Sequence, residues 1–380
     1  MEIEKLNNTL EIRSALKSLG VDDGGISILS QKALTHILHI KNLHVGGANI
    51  LKQDALSIGA DLAVPRGTVL AKTPEVDCIL IATTAQLKVL SKKESVQPFG
   101  LKALASQFQN ILKVQKPKTL SIMGVLNAND DSFFSASRFS VGDALEQIEN
   151  MLNDGAKIID IGAVSSAPKA KKITIEEELF RIKPILSLIK EHKLYENVNF
   201  SIDSYEPKVI QEALASGFSI VNDITGLQND EVAKLCASYD AKAIIMHMQG
   251  RPQTMQDNPY YENLLSDIYQ FFQERIAKAE SFGVKDIVLD VGIGFGKTLE
   301  HNLSLIKNLE HFLTLEKPLL VGASRKSMIN MISPSQPEQR LSGTLALHLE
   351  ALKNGASYLR VHDVYEHSQA IKIQQKLNEV

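Results

Sequence analysis

Cysteine is nearly missing from this chain of 380 residues, with Cys78 and Cys236 its only thiols. That excludes a disulfide framework and a cysteine zinc site, and it suits a reducing compartment. No apolar run approaches the roughly 18 residues of a membrane span. The opening stretch, MEIEKLNNTLEIRSAL, is charged and lacks the apolar core of a secretion signal, so a cytoplasmic location and no membrane partner are expected. Long basic runs are absent too and the net charge is −3, which argues against a surface built for nucleic acid. Any anion site has to be local.

What is present is enough apolar material for a large core, at 44% of residues. Short apolar runs recur down the C-terminal two-thirds, each ending in a polar residue: TLSIMGVLN, KIIDIG, VNFSID, FSIVND, KAIIMHM, DIVLDVG, LLVGASRK and YLRVHD. Between them lie amphipathic stretches such as VGDALEQIENMLNDG and EPKVIQEALASG. Near-continuous apolar strands separated by helices indicate parallel βα units. Eight such units predict a (β/α)8 TIM barrel, whose active site lies at the C-terminal ends of its strands. Asn127, Asp160, Asp203, Asn222, His247, Asp290, Ser324-Arg325-Lys326, Arg360 and His362 then converge in one mouth.

The chain exceeds the roughly 250 residues of one barrel, so a second unit is expected. We read residues 1–115 as a smaller α/β domain and 116–380 as the barrel, joined through LKVQKPKTL. In the first part LEIRSALKSL and LKQDALSIGA read as helical, and ISIL, LAVP and DCILIAT as strand-like. Gly46-Gly47 and Pro65-Arg66-Gly67 read as turns. No catalytic constellation precedes the barrel.

Asp203, Asn222, Asp290 and Lys326 offer carboxylates that accept, an amide that does both and an ammonium that donates. Such a set suits a flat heterocycle with an amino-pyrimidinone edge, each edge atom of which needs a partner once water is excluded. A strand-end Asp can instead cap the following helix, though so many polar ends facing one cavity cannot all be caps. Asn127, Ser166, Arg360 and His362 form a second group, suited to a diphosphate. The two-residue period of the last strand puts Arg360 and His362 on one side, the alternative being an ion pair to Asp363 or to a neighbouring helix. Asp131 could join Asn127 in carrying Mg²⁺, which prefers oxygen ligands and keeps several waters.

DVGIGFGKT is a false phosphate loop. Counting back from Gly296-Lys297-Thr298 puts Val291 where the first glycine of GxxxxGK[ST] belongs, and Gly292, Gly294 and Gly296 alternate, against GxGxxG. A strand ending at Asp290, a glycine turn and a helix starting near Thr298 explain it better. Phe295 then either stacks on a planar substrate or packs in the core. Met248 is placed near the same pocket.

IMGVLN, SIDSY, GFSIVNDITGL, IMHMQGRPQTMQ, LDVGIGFGK, LLVGASRKSM, RLSGTLA and LRVHDV occur in order, and over about residues 118–380 the chain resembles the dihydropteroate synthases. The resemblance implies a usually dimeric TIM barrel that joins para-aminobenzoate to 6-hydroxymethyl-7,8-dihydropterin diphosphate with Mg²⁺ present. By motif position it implies pterin on Asp203, Asn222, Asp290 and Lys326. It also implies diphosphate and metal at Asn127, Arg360 and His362, and para-aminobenzoate, or a competing sulfonamide, beside Phe295, Lys326 and Ser327. Lys326, Arg360 and His362 are the catalytic candidates.

Two loops depart from the pattern. LNANDDSFFSAS stands where the family reads LNVTPDSFSDGG, and GAVSSAPKA where it reads GGESTRPGA, so Ser166 replaces a threonine and Ala167 an arginine. Lys169, Lys171 and Lys172 follow, as a substitute cation or as a solvated loop. Altered loops leave two other classes open, a non-catalytic pterin-binding protein and a pterin-dependent methyltransferase domain. Retained Asn127, Arg360 and His362 favour the synthase.

Overall fold

In the computed structural model of the protein the described residues are 2–3, 12–117, 119–128, 141–164 and 173–379. The chain divides into two compact units, Met1–Val114 with Gln375–Val380, and Gln115–Gln374.

In the larger unit eight parallel strands close a barrel: β4 (Ser121–Asn127), β5 (Ile158–Gly162), β6 (Asn199–Asp203), β7 (Ile220–Asp223), β8 (Lys242–Met246), β9 (Ile287–Asp290), β10 (Leu319–Val321) and β11 (Tyr358–Val361), with β10 pairing both β9 and β11, and β11 pairing β4. Each expected apolar run supplies one of them. Helices join successive strands, among them Val141–Asp154, Ile175–Glu191, Pro207–Ala215 and Asp230–Ser238. The strands are buried on both faces, as in β5, β7 and β9, where every residue is buried. That is why they read as unbroken apolar runs.

Inside the barrel Met123, Ile158, Ile220, Ile244, Val288 and Leu320, flanked by Tyr358, pack into one apolar layer. Side chains alternate along a strand, so the residues that share this inward face stand two positions on. These are Asp160, Asn222, Asp290 and Arg360, each two residues after a member of the layer. Asp203 pairs in register with Asn222. The strand period thus raises a polar tier directly above an apolar floor.

The smaller unit is an antiparallel sheet in the order β1-β3-β2, from β1 (Thr35–His44), β2 (Asp61–Ala63) and β3 (Glu75–Thr83). Leu51, Leu80, Leu87, Leu90, Leu101 and Phe108 form the heart of its core, contributed by β3 and the helices Val45–Ser57, Thr84–Lys93 and Leu101–Lys113. The sheet's other face is open, with Ile37 71% exposed and Ile79 and Ile81 above 40%. Several expectations for this unit need correction. ISIL lies in the helix Asp23–Ala33, whose cap is Asp22 accepting from the Gly25 N–H at 2.8 Å. Gly46-Gly47 lies in the first turn of Val45–Ser57 and not in a loop. β1, the longest strand, was not anticipated. Of LAVP only the start belongs to β2, whereas DCILIAT falls within β3 and Pro65-Arg66-Gly67 turns as expected, with Gly67 at φ 84°.

Candidate active site

The polar tier is held together by one guanidinium. Arg360 on β11 donates from Nε to Asp160 Oδ2 at 2.6 Å and from Nη2 to Asp203 Oδ2 at 2.7 Å. Asp160 is fully buried, and its Oδ2 also accepts from Asn222 Nδ2 at 3.1 Å, while its Oδ1 has no partner among the described residues. The alternative pairing of Arg360 with Asp363 does not occur. Asp363 is taken by Arg325, at 2.5 and 3.2 Å.

Room for Asp203 comes from Gly162 at the end of β5, where a Cβ would stand 3.2 Å from the Asp203 Cβ. Burial raises the Asp203 carboxyl to about 7 against the pull of Arg360, and Asp160 and Glu178 add to the rise. Asp290 ends β9 and accepts from the Gly292 N–H at 2.8 Å, and burial pushes its carboxyl upward as well. Gly292 has φ +67°, and a Cβ there would come within 2.0 Å of the His247 carbonyl oxygen. Only glycine permits this turn.

Lys326 caps the short helix Ser327–Ile332 and lays its ammonium 4.2 Å from the centre of the Phe295 ring. Burial and Arg360 lower it to about 8, with Asp290 and Asp203 opposing. Phe295 packs in a small apolar cluster with Ile224, Met246 and Met255, and Met248 and Tyr205 lie against it. The packing reading of Phe295 describes these contacts, with the Lys326 ammonium set over one face of the ring. Ser327 is exposed.

At the rim, His362 Nδ1 lies 2.9 Å from Ser324 Oγ. Partial burial, Arg360 and Arg325 hold the His362 imidazole well below its ordinary value. Asn127 is exposed at the end of β4, paired in register with Gly162. The tier and the anion group are continuous, because Arg360 belongs to both. Asp131, Ser166, Ala167 and the lysines 169, 171 and 172 lie outside the described residues.

Sequence reasoning missed two buried contributors. Lys297, 3% exposed, donates to the carbonyls of His247 at 3.2 Å and Phe295 at 2.9 Å and lies 3.1 Å from His247 Nδ1. It pins the glycine turn to the end of β8, and burial lowers it to about 7. Its signal was there: a lysine closing a glycine turn after a strand-end aspartate, set aside with the false phosphate motif. The other is Glu178, which accepts from Ser204 Oγ at 2.6 Å just beyond Asp203. Nothing local marks a helical glutamate as part of a barrel rim.

Residues 123–362 match the pterin-binding enzyme family. The chain belongs to the pterin-binding enzymes. Among its relatives is a protein of Helicobacter pylori named bifunctional dihydropteroate synthase/dihydropteroate reductase, 45% identical over 379 residues and covering 100% of both chains. The Haemophilus influenzae dihydropteroate synthase is 40% identical over 257 residues, 67% of this chain and 92% of its own. Of solved structures, Yersinia pestis dihydropteroate synthase with a sulfonamide drug complex superposes with a TM-score of 0.65 at 36% identity, over 69% of this chain and 95% of that one. Thermus thermophilus dihydropteroate synthase in complex with 4-aminobenzoate does so at 0.61 and 37%, over 68% and 95%. In this pterin-binding enzyme the polar strand ends meet at one mouth.

Proposed function

We infer that this chain is a dihydropteroate synthase, condensing 6-hydroxymethyl-7,8-dihydropterin diphosphate with para-aminobenzoate to give 7,8-dihydropteroate and diphosphate. The observation that carries the reading is the tier itself: Asp203, Asn222 and Asp290 around Arg360 and Lys326, above a closed apolar floor. Acceptors at Asp203 and Asp290 suit the N–H edge of the pterin. Asn222 and Lys326 complete the ring's partners, and Phe295, Lys326 and Ser327 line the aminobenzoate side, where sulfonamides would compete.

The chemistry asks little of a base. The pterin ring donates electrons toward its exocyclic carbon, the carbon–oxygen bond breaks, and the diphosphate leaves with that electron pair. The aniline nitrogen then forms the new carbon–nitrogen bond and loses a proton. Arg360 and His362, with Asn127 and Ser166, stabilise the departing charge, the kind of preorganised contact that dominates many rate enhancements. Mg²⁺ would be held by Asn127 and Asp131, and when bound it supplies positive charge to the leaving group. Among the described residues no cluster of three or more His, Cys, Asp or Glu is placed to hold a metal. Asn127, exposed at the end of β4, offers an amide oxygen of the kind Mg²⁺ prefers, beside its waters and substrate phosphate oxygens.

Among the described residues no helix is long and apolar enough to cross a membrane. We place the enzyme in the cytoplasm, as a homodimer acting on small molecules. The decisive assay is formation of dihydropteroate from the two substrates with Mg²⁺. Pterin binding without product would restore the non-catalytic reading, and methyl transfer from a methylated pterin the other alternative.

One observation favours a second activity. The Helicobacter pylori relative, named also a dihydropteroate reductase, aligns with the whole of this chain, whereas the Haemophilus influenzae synthase covers only 67% of it. The excess corresponds to the N-terminal unit, to which we assign reduction of 7,8-dihydropteroate by a two-electron donor. Tetrahydropteroate formation by the intact protein tests it. Failure with every nicotinamide and flavin donor tried would remove it.

A further inference from the structure

We propose that His348 and His367 are positioning residues for the synthase reaction, a buried imidazole pair that ties the turn carrying Lys326 to the turn carrying His362. The proposal rests on Lys326 and His362 being substrate contacts.

The helix Leu341–Lys353 offers one face to the Ser324–Lys326 turn, at positions spaced by four. Arg340, at its cap, donates from Nη1 to the Arg325 carbonyl at 3.0 Å. Thr344 Oγ1 accepts from the Arg325 N–H at 3.0 Å and donates to the Arg340 carbonyl at 2.8 Å. His348 Nε2 accepts from the Ala323 N–H at 2.9 Å. Arg325 sits at φ +55°, a conformation that a non-glycine residue keeps only when its surroundings hold it.

From His348 the chain of bonds continues outward. Its Nδ1 lies 2.8 Å from His367 Nε2, and His367 Nδ1 lies 2.5 Å from the Asp363 carbonyl oxygen. Both rings are almost wholly buried. The Asp363 carboxylate grips Arg325, so the bonds close into a ring: Ala323, His348, His367, Asp363, Arg325 and back along the backbone. Lys326 follows Arg325, and His362 precedes Asp363. The ring therefore holds both substrate-facing side chains in one frame.

The backbone ends dictate the protons. An N–H can only donate, so His348 Nε2 is bare and its proton sits on Nδ1; a carbonyl can only accept, so His367 carries its proton on Nδ1 and receives at Nε2. A second proton on either ring would set two donors face to face. Burial, with His367 and His362 nearby, lowers His348 to about 3, and burial lowers His367 against the pull of Asp363 and Glu366. Geometry and burial both favour the neutral pair.

The test uses the intact protein and steady-state kinetics on the folded fraction. His348→Leu should lower kcat/KM for para-aminobenzoate by about 10–100-fold, the scale of small misplacements in an active site. His348→Gln, whose amide oxygen reaches the place of Nε2, should recover most of it, and His348→Asn, which ends short of Ala323, should not. Imidazole ¹⁵N spectra of the wild-type protein should show both rings neutral in these tautomers down to pH 5, a readout that stands even if the Leu variant does not fold. Wild-type kinetics in His348→Leu, equal loss in the Gln and Asn variants, or a cationic ring at pH 5 would each overturn the proposal. Lys326→Ala and His362→Ala separate the two levels of the argument. If both leave turnover unchanged, the reading of the site falls; if they impair it while His348→Leu does not, only the positioning role falls.

Discussion

The barrel and the N-terminal unit both bury acids, and they treat the charge in opposite ways. In the barrel Asp160 and Asp203 share Arg360, which keeps a compensated carboxylate layer at the bottom of an open mouth. In the N-terminal unit Glu94 is 0% exposed, and neither of its carboxyl oxygens has a hydrogen-bond partner among the described residues. Burial and the nearby Asp54 raise it to about 7, with Lys93 opposing. A buried acid with a cation is a working surface. Glu94, which no cation among the described residues contacts directly, is a group whose ionisation burial opposes at a cost to stability.

The largest effect should come from removing the shared cation. Arg360→Ala leaves two buried carboxylates uncompensated, which should cost about 3–5 kcal/mol of stability by denaturant titration. Turnover of the folded fraction should fall about 10²–10³-fold, because in the proposed reading the guanidinium also stabilises the charge of the leaving group. Arg360→Lys should recover part of the stability and little of the rate, since an ammonium cannot bridge both acids in the guanidinium's planar geometry. A variant as stable as wild type would mean that the barrel does not need this compensation.

Asp290→Ala and Asp203→Ala should each weaken binding of a pterin analogue by roughly 1–3 kcal/mol in calorimetry, by stranding a ring donor. Asp290 is the cleaner of the two, because Asp203→Ala also frees one arm of Arg360. Unchanged affinity in both would move the pterin elsewhere.

Glu94→Gln should act in the other direction. With its folded-state value raised above that of the unfolded chain, Glu94 binds the proton more tightly when folded, so its presence lowers stability as pH rises from about 4 to about 7. The Gln variant should match wild type near pH 4 and be more stable above pH 7, on the order of 1–3 kcal/mol, with synthase turnover unchanged. A gain that does not vary with pH would show that charge is not the cause. The smallest effect belongs to the open sheet face: Ile37→Thr, at a site 71% exposed, should change stability by no more than about 0.5 kcal/mol.

The same contrast explains what could be read from the sequence. Barrel strands are covered on both faces, so KIIDIG and FSIVND announce themselves, and their terminal polar residues follow as site candidates. β1 has one open face and a free edge, and His39, Lys41 and Asn42 break THILHIKNLH into something that does not look like a strand. A bulge between Ile40 and Leu43 disturbs its alternation further, with Asn42 at φ 51° and its N–H donating to Asp77 Oδ1 at 2.9 Å. ISIL misled for the opposite reason: a short apolar run fits helix or strand, and Asp22 decided for the helix. In the site, the strand ends were legible because topology alone gathers them. Glu178, His348 and His367 were not, because they come from helices whose direction only the folded chain reveals, whereas Lys297 was marked by the glycine turn it closes.

The apolar floor of Met123, Ile158, Ile220, Ile244, Val288 and Leu320 makes the barrel a well with one opening. Traffic through a well is a queue. In the proposed reading the pterin, held by Asp203, Asn222 and Asp290 at the strand ends, enters before an aminobenzoate placed beside Phe295 and Ser327. On that reading the joined product lifts out with its aminobenzoate half leading. A tight ligand for the upper position therefore traps whatever lies beneath it, and such a compound should slow release of bound pterin as well as compete with the incoming substrate.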